Sequence, residues 1–253
     1  MLLAPGEGET AVDRAERTLR ILVETEQVIV TWFRYEPGEE GPEPHVHHHH
    51  TDAFYVLEGE VEFGLGPEVK RFTGAAGTYA AAPPDVVHTF RNSSDATAIF
   101  LNIHAPSMGF GDVIRGRGRE GFDQHDPPPD GGRPLEDAIY TGPGEDQLFQ
   151  RDYGTNLIKG ALEQVSVFEL TCNPDWEGID PHSHDDHLDS FFVLDGEAAL
   201  VAGTKTHRSG PGSFLAAPIG ARHGCEGNTG SGSLRLLNIH APDAGFAGRI
   251  RGQ

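Results

Sequence analysis

Apolar and polar residues alternate along most of this chain in short runs, which is the period of β-strands. Val28–Tyr35 is rich in β-branched and aromatic residues, and Val61–Leu65 and Ala96–Ile103 alternate. Phe54–Leu57 is followed by Glu-Gly-Glu, a hairpin signal. Short strands separated by frequent turns are typical of a sandwich or barrel, so we predict an all-β fold.

Two stretches depart from this pattern. Val12–Leu22 is the only plausible N-terminal helix, although Thr18–Val23, which overlaps its end, fits a strand equally well. Arg117–Tyr140 contains three consecutive prolines and a Gly-Gly pair, which cannot form a helix or a central strand. We interpret this second stretch as an extended linker that packs across the first half of the chain.

The chain repeats itself almost from end to end. Glu26–His47 matches Glu163–His184 without a gap, and later segments recur with an offset of 135 to 138 residues. A repeat of this length indicates two copies of one folding unit. We therefore predict a first domain over residues 1–116, a linker over 117–140 and a second domain over 141–253.

The most unusual repeated feature is a cluster of histidines. His45, His47 and Asp52 precede Gly59 with the spacing that His182, His184 and Asp189 show before Gly196. Residues i and i+2 of a strand project to the same face, so each His-x-His pair presents two imidazoles together. A later hairpin offers a third imidazole in each copy, and the histidines concerned are His88 and His223.

Three neutral nitrogens and one carboxylate oxygen suit a divalent ion such as Fe, Mn, Ni, Cu or Zn. Four protein ligands leave about two positions open on an octahedral ion, which is typical of a reactive site and not of a closed structural one. The sequence therefore predicts one divalent transition metal in each copy.

These residues resemble the motifs of the cupin superfamily. The first motif, G(x)5HxH(x)3-4E(x)6G, is matched by the two His-x-His stretches, and the second, G(x)5PxG(x)2H(x)3N, by two later segments. The matching positions of the second motif are Gly77, Pro83, His88 and Asn92 in the first copy and Gly212, Pro218, Gly220 and His223 in the second. Asp85 and Gly227 stand where the family usually has glycine and asparagine.

The resemblance implies a bicupin, in which two tandem jelly-roll barrels (double-stranded β-helices) each hold a metal through three histidines and a carboxylate. It looks more narrowly like the cupin-2 proteins and the quercetin-dioxygenase-like bicupins. Both copies have aspartate where the family has glutamate, which is one methylene longer. Four alternatives stay open for Asp52 and Asp189: direct ligation, ligation through water, support of the other ligands without contact to the metal, or replacement as ligand by the repeated histidines His50 and His187.

Alternation along the strands also predicts the pocket walls. Phe54 and Phe191 share the parity of the two aspartates, and Phe90 should point inward beside His88. Cys225 replaces Phe90 in the second copy, where it is best explained as a small buried thiol. His104 and His240 lie in a later strand, either as hydrogen-bonded strand residues or as part of the pocket.

Net charge and cysteine content reduce the number of possible functions. The net charge of −20 argues against nucleic-acid and membrane-surface partners, and two cysteines are too few for a disulfide scaffold. We expect a cytoplasmic protein that acts on a small molecule, with self-association left open. The leading hypothesis is a metal-dependent, dioxygenase-like oxidoreductase. The alternatives are a non-catalytic metal or small-ligand binding protein, and a cupin isomerase or decarboxylase.

Overall fold

Strands make up most of the ordered structure in the computed structural model, which describes residues 1–118 and 120–253. The first half contains, in order, β1 (Leu2–Leu3), β2 (Glu9–Asp13), β3 (Arg17–Glu24), β4 (Ile29–Tyr35), β5 (Thr51–Glu58), β6 (Glu60–Leu65), β7 (Lys70–Ala75), β8 (Tyr79–Ala82), β9 (His88–Arg91), β10 (Ala98–Ala105) and the short helix α1 (Phe110–Ile114). A 3₁₀ turn (Leu135–Asp137) and β11 (Ile139–Thr141) follow.

The second half repeats this order. It contains β12 (Gln147–Arg151), β13 (Gly154–Ala161), β14 (Ser166–Cys172), β15 (Ile179–His182), β16 (Leu188–Asp195), β17 (Ala198–Ala202), β18 (Lys205–Ser209), β19 (Phe214–Ala217), β20 (His223–Asn228), β21 (Leu234–Ala241) and α2 (Phe246–Arg251). Among the described residues, neither helix has the length and apolar character needed to cross a membrane.

The chain forms two compact units, which we call the first barrel (Gly8–Glu145) and the second barrel (Met1–Glu7 with Asp146–Gln253). The first barrel pairs a sheet of order β11-β8-β5-β10-β4-β3-β2 with a small sheet β7-β6-β9. The second pairs β1-β19-β16-β21-β14-β13-β12 with β15-β20-β17-β18. Both are antiparallel jelly rolls, which confirms the predicted duplicated all-β fold.

The two barrels exchange an edge strand. Leu2 pairs with Leu215, and the N-terminal amino group donates to the carbonyl oxygen of Ala216 at 2.7 Å. The corresponding later segment, β11, pairs instead with β8 of the first barrel through Tyr140 and Ala80. The compact units therefore differ from the predicted bounds, since residues 1–7 pack with the second copy and the described residues of the linker pack with the first.

The predicted helix over Val12–Leu22 is wrong. β2 and β3 form a hairpin there, and the alternative strand over Thr18–Val23 is confirmed. The physical reason is that β-branched and leucine side chains of β3 alternate against β4, with Leu19 opposite Phe33. Pairing with a buried neighbouring strand outweighs a weak helical propensity.

The core of each barrel lies between its two sheets. In the first barrel Phe33 and Phe100 of the large sheet meet Phe63 and Phe90 of the small sheet. In the second barrel the corresponding cluster includes Phe168, Phe191, Leu200 and Cys225. In the first barrel, Phe33 and Phe90 of this cluster line the same cavity as His45 and His47.

Gly59, the glycine of the first motif, closes the turn between β5 and β6. Its φ is +72°, and a Cβ added there would overlap the carbonyl oxygen of Thr97. Gly38 has a similar φ of +77° but open space around its missing Cβ. Alanine substitutions at Gly38 and Gly59 therefore separate the energetic cost of a left-handed backbone from the cost of a steric clash.

We expect Gly38→Ala to lower the free energy of unfolding by about 1–2 kcal/mol, the cost of the left-handed conformation alone. Gly59→Ala should cost about 2–5 kcal/mol, because overpacking against a fixed carbonyl adds about 1–3 kcal/mol. Urea denaturation followed by fluorescence measures both. Equal losses in the two variants would contradict this account.

Candidate metal centres

Three imidazoles and one carboxylate converge in each barrel from separate elements. In the first, His45 and His47 lie between β4 and β5, Asp52 lies on β5, and His88 begins β9. His45 and His88 are joined directly by a backbone bridge. The second set, at the matching places, is His182, His184, Asp189 and His223. In both sets one ligand atom from each residue lies within 4.8 Å of all the others.

Backbone carbonyls fix the orientation of the first-barrel imidazoles. His45 Nδ1 donates to Glu43 at 2.9 Å and His88 Nδ1 donates to Val86 at 3.0 Å. His47 Nδ1 donates to the carbonyl oxygen of Asp123. This network assigns the proton to Nδ1, so each Nε2 carries its lone pair toward the centre.

The residues present fit a metal ion. His47 Nε2 is fully buried and makes no hydrogen bond within the described part of the chain. Buried polar atoms are nearly always paired, so an unpaired nitrogen aimed at two other imidazoles needs a partner. Burial lowers the pKa of His45 to about 2, with His88 and His47 adding to the effect, so this ligand is neutral and ready to bind.

Asp52 reaches the imidazoles despite its short side chain. Its Oδ2 lies 3.2 Å from His88 Nε2 and 3.9 Å from His47 Nε2, while its Oδ1 accepts a hydrogen bond from Asn102 Nδ2. Burial alone would raise the pKa of Asp52, but His104, His47 and His88 hold it well below its usual range. The carboxylate is therefore charged and buried.

The second centre repeats this geometry. Asp189 Oδ2 lies 3.1 Å from His223 Nε2 and 3.7 Å from His184 Nε2, and its Oδ1 accepts from Asn238 at 2.6 Å. His182 Nδ1 and His223 Nδ1 again donate to backbone carbonyls at 2.9 Å. The difference is exposure, because the His184 side chain is 20% exposed and that of His47 is 1% exposed.

His50 and His104 form a hydrogen-bonded pair beside the first centre. His50 Nε2 and His104 Nδ1 are 2.9 Å apart, and His104 Nε2 donates to Asn102 Oδ1 at 3.1 Å. Asn102 in turn holds Asp52, so the pair connects to the carboxylate through an amide. With His47, the pair forms a second group whose spacing is compatible with a metal.

In the second barrel the equivalent pair is looser. His240 Nε2 donates to Asn238 Oδ1 at 2.9 Å, and His187 Nδ1 donates to Asp186 at 2.6 Å. The facing atoms, His187 Nε2 and His240 Nδ1, make no hydrogen bond to any described residue. Phe246 stacks on His240 at 4.0 Å, as Phe110 stacks on His104 at 3.8 Å.

Asp123 of the linker is the main residue that the sequence did not reveal. Besides its carbonyl bond to His47, its carboxylate accepts the backbone amides of His48 at 3.0 Å and His49 at 2.7 Å, and His50 Nδ1 at 3.0 Å. Burial would raise the pKa of Asp123, but these donors hold it far below its usual range. The residue has no counterpart in the second copy, so comparison of the repeats could not identify it.

The first centre opens onto a cavity of about 500 Å³. Phe90 lines it together with His45, His47, Asp52 and His104, and Phe54 packs behind Phe90 at 4.8 Å. In the second barrel Phe191 and Cys225 belong to the hydrophobic core. Burial raises the pKa of Cys225 to about 11, which keeps the thiol protonated, as expected of a small buried side chain.

Both departures from the second motif have a structural explanation. Asp85 adopts φ +66°, close to the +77° of Gly220, so it occupies the turn that usually requires glycine. Asn92 Nδ2 donates to the carbonyl four residues later, and Asn228 does the same in the second barrel. The asparagine of the second copy is therefore shifted by one residue from Gly227, and its function is retained.

Replacing Asp123 by alanine should destabilise the first barrel. Two backbone amides and one imidazole would lose a charged acceptor whose side chain is 3% exposed, a loss of about 2–5 kcal/mol in unfolding free energy. The matched control is Asp186→Ala, because Asp186 is 71% exposed and accepts from the equivalent histidine of the second barrel.

Thermal and urea unfolding of the two variants measures the difference. The control should stay close to the parent protein. A loss in Asp123→Ala no larger than that in the control would show that the linker carboxylate does not hold the histidine segment in place.

Comparison with known proteins agrees with this geometry. The Cupin_2 cupin-domain model matches residues 31–104 and 168–240, together more than half of the chain. No curated protein sequence matches it.

Solved structures resemble it in fold at low identity. Protein Ylba from E. coli has a TM-score of 0.70 at 13% identity, covering 95% of this chain and 89% of its own. Lactobacillus farciminis oxalate decarboxylase, solved as a formate complex, has a TM-score of 0.66 at 13% identity, covering 95% and 86%. Bacillus subtilis oxalate decarboxylase, studied for its Mn(II) centres, has a TM-score of 0.65 at 14% identity, covering 96% and 77%.

Proposed function

The chain belongs to the cupin domain family, and from that premise we propose that it is a metal-dependent oxidoreductase of the dioxygenase kind. The observation that supports this is the position of the first ligand set, because His45, His47 and Asp52 line a cavity of about 500 Å³. A cavity of this size suits a small organic substrate. The reaction is assigned to the first barrel for that reason.

His45, His47, His88 and Asp52 would hold the metal. Three imidazole nitrogens and one carboxylate oxygen suit Fe, Mn, Ni, Cu or Zn. Such an ion would supply Lewis acidity and would bring the substrate and dioxygen together. The second set, His182, His184, Asp189 and His223, would hold another ion in the second barrel.

The protein's own residues contribute orientation and exclusion of water. The carbonyls of Glu43, Val86 and Asp123 keep the three Nε2 atoms directed at one point, so little reorganisation accompanies binding. Phe110 and Phe122 stand on the cavity wall beside His104 and His47. An apolar wall next to the ligands strengthens electrostatic interactions with a bound substrate.

A decarboxylase is the second candidate, because oxalate decarboxylases are among the proteins similar in fold. The size and the aromatic lining of the cavity favour the first candidate, since a two-carbon diacid needs only a small part of 500 Å³. A metal or small-ligand binding protein without turnover is the third candidate, and the experiments below separate it from the other two.

Metal content tests the ligand assignment. The purified parent protein should contain about two ions per chain, His88→Ala and His223→Ala about one each, and the double variant almost none, because each variant loses one of four ligands. Elemental analysis by mass spectrometry measures this, with circular dichroism as the control for folding. Two ions per chain in the folded double variant would refute both sites.

Oxygen consumption tests the reaction class. Metal-reconstituted protein should consume dioxygen with at least one member of a panel of enediols, flavonols and diketones, in which each class is represented with and without a carboxylate group. Activity should fall by at least about 100-fold in His88→Ala and change little in His223→Ala, because the cavity adjoins the first centre. Carbon dioxide release from oxalate without oxygen uptake would favour a decarboxylase, and binding without turnover would favour the third candidate.

A further inference from the structure

Two arginines line the cavity that opens from the first centre. Arg14 lies in the turn between β2 and β3, and Arg17 begins β3. They are notable because the chain has 39 acidic and only 19 basic residues and a net charge of −20. A protein of this charge repels anions in general, but two arginines in one cavity could attract an anion there.

Two arginines and two carboxylates line the cavity, so a divalent metal bound there would make the charge of its lining positive. Arg17 Nε pairs with Glu39 at 3.1 Å, while Arg14 is exposed. Glu40 also lines the cavity, but its side chain is 69% exposed and pairs with Arg91 at 3.4 Å. Asp52 is the other carboxylate of the lining, and the proposed metal would neutralise its charge.

Much of the remaining lining is apolar. The large apolar side chains among it are Leu19, Phe33, Phe90, Phe110, Ile114 and Phe122. Tyr35 adds a phenol beside Arg17, and burial raises its pKa to about 12, so it stays neutral. Aromatic walls with a few charged groups at one edge are typical of sites that bind an apolar body and orient it by a charged end.

We propose that the substrate is an organic monocarboxylate with an aromatic or branched aliphatic body. Its carboxylate would lie at Arg14 and Arg17, its body along the phenylalanines, and the group that reacts would lie at the metal ligands. Guanidinium groups bind carboxylates with charge-assisted, often bidentate hydrogen bonds, which suits this role. The inference rests on the proposed function, because it describes the substrate of the same centre.

The proposed ligand class can be tested by calorimetric titration of the metal-loaded protein. The three probes are 3-phenylpropanoate, 3-phenylpropanamide and oxalate. The parent should bind 3-phenylpropanoate about tenfold or more tightly than the amide, because the amide has the same body without the charge. Oxalate should bind more weakly than 3-phenylpropanoate. Arg14→Gln and Arg17→Gln should each reduce affinity for the acid by about tenfold and leave affinity for the amide unchanged.

Arg20→Gln is the matched control. Arg20 lies on the same strand as Arg17, but its guanidinium stacks over Trp32 and does not line the cavity. This variant should bind all three probes as the parent does. Because Arg14 is exposed, Arg14→Gln also keeps the test valid if Arg17→Gln fails to fold.

The outcomes distinguish this inference from the proposed function. Arginine-dependent preference for the acid without oxygen uptake would support the ligand class and overturn the oxidoreductase proposal. Oxygen uptake with uncharged substrates, unchanged in Arg14→Gln, would support the oxidoreductase and overturn the ligand class. Equal binding of acid and amide by the parent protein, or tighter binding of oxalate, would also overturn it.

Discussion

A buried carboxylate surrounded by imidazoles is the constraint on which each barrel depends. Asp52 is 2% exposed and Asp189 is 3% exposed, and both have pKa values held far below the usual range. A buried ionised carboxylate is costly unless it is paired and hydrogen-bonded. One amide hydrogen bond from Asn102 or Asn238 satisfies one oxygen, and the other oxygen lies beside imidazole Nε2 atoms. A divalent cation bound there would pair with this oxygen and with the imidazole nitrogens together.

The two barrels satisfy the same constraint with different degrees of enclosure. In the first, the linker brings Phe122 and Asp123 against the histidine segment, and His47 is almost completely buried. In the second, the corresponding histidine is 20% exposed and its neighbouring carboxylate, Asp186, is a surface residue of the same loop. The repeat contains two ligand sets, and in the first barrel the unrepeated linker adds Phe122 to the wall of the cavity beside the ligands.

Much of this arrangement could be predicted from periodicity and repetition. The parity of His45 and His47 and the recurrence of their spacing predicted which side chains would share a face, because strand geometry is local. Asp123 could not be found this way, since its role depends on a long-range return of an unrepeated segment. The exchange of Leu2–Leu3 and Ile139–Thr141 was equally hidden, because two homologous edge strands have the same local pattern and differ only in their partner.

The aspartate in place of the family's glutamate is explained by the network behind it. Asn102 and His104 lie on β10, opposite Phe54 and Asp52 of β5, so the amide approaches the carboxylate from the adjacent strand. Its hydrogen bond holds Oδ1 and directs Oδ2 toward His88. A longer glutamate would place its carboxylate beyond this amide, whereas aspartate keeps it between the asparagine and the imidazoles. In the second barrel, Asn238 likewise donates to Asp189 and accepts from His240, and Asp189 lies beside His223. The shorter carboxylate and its supporting asparagine therefore occur together in both barrels.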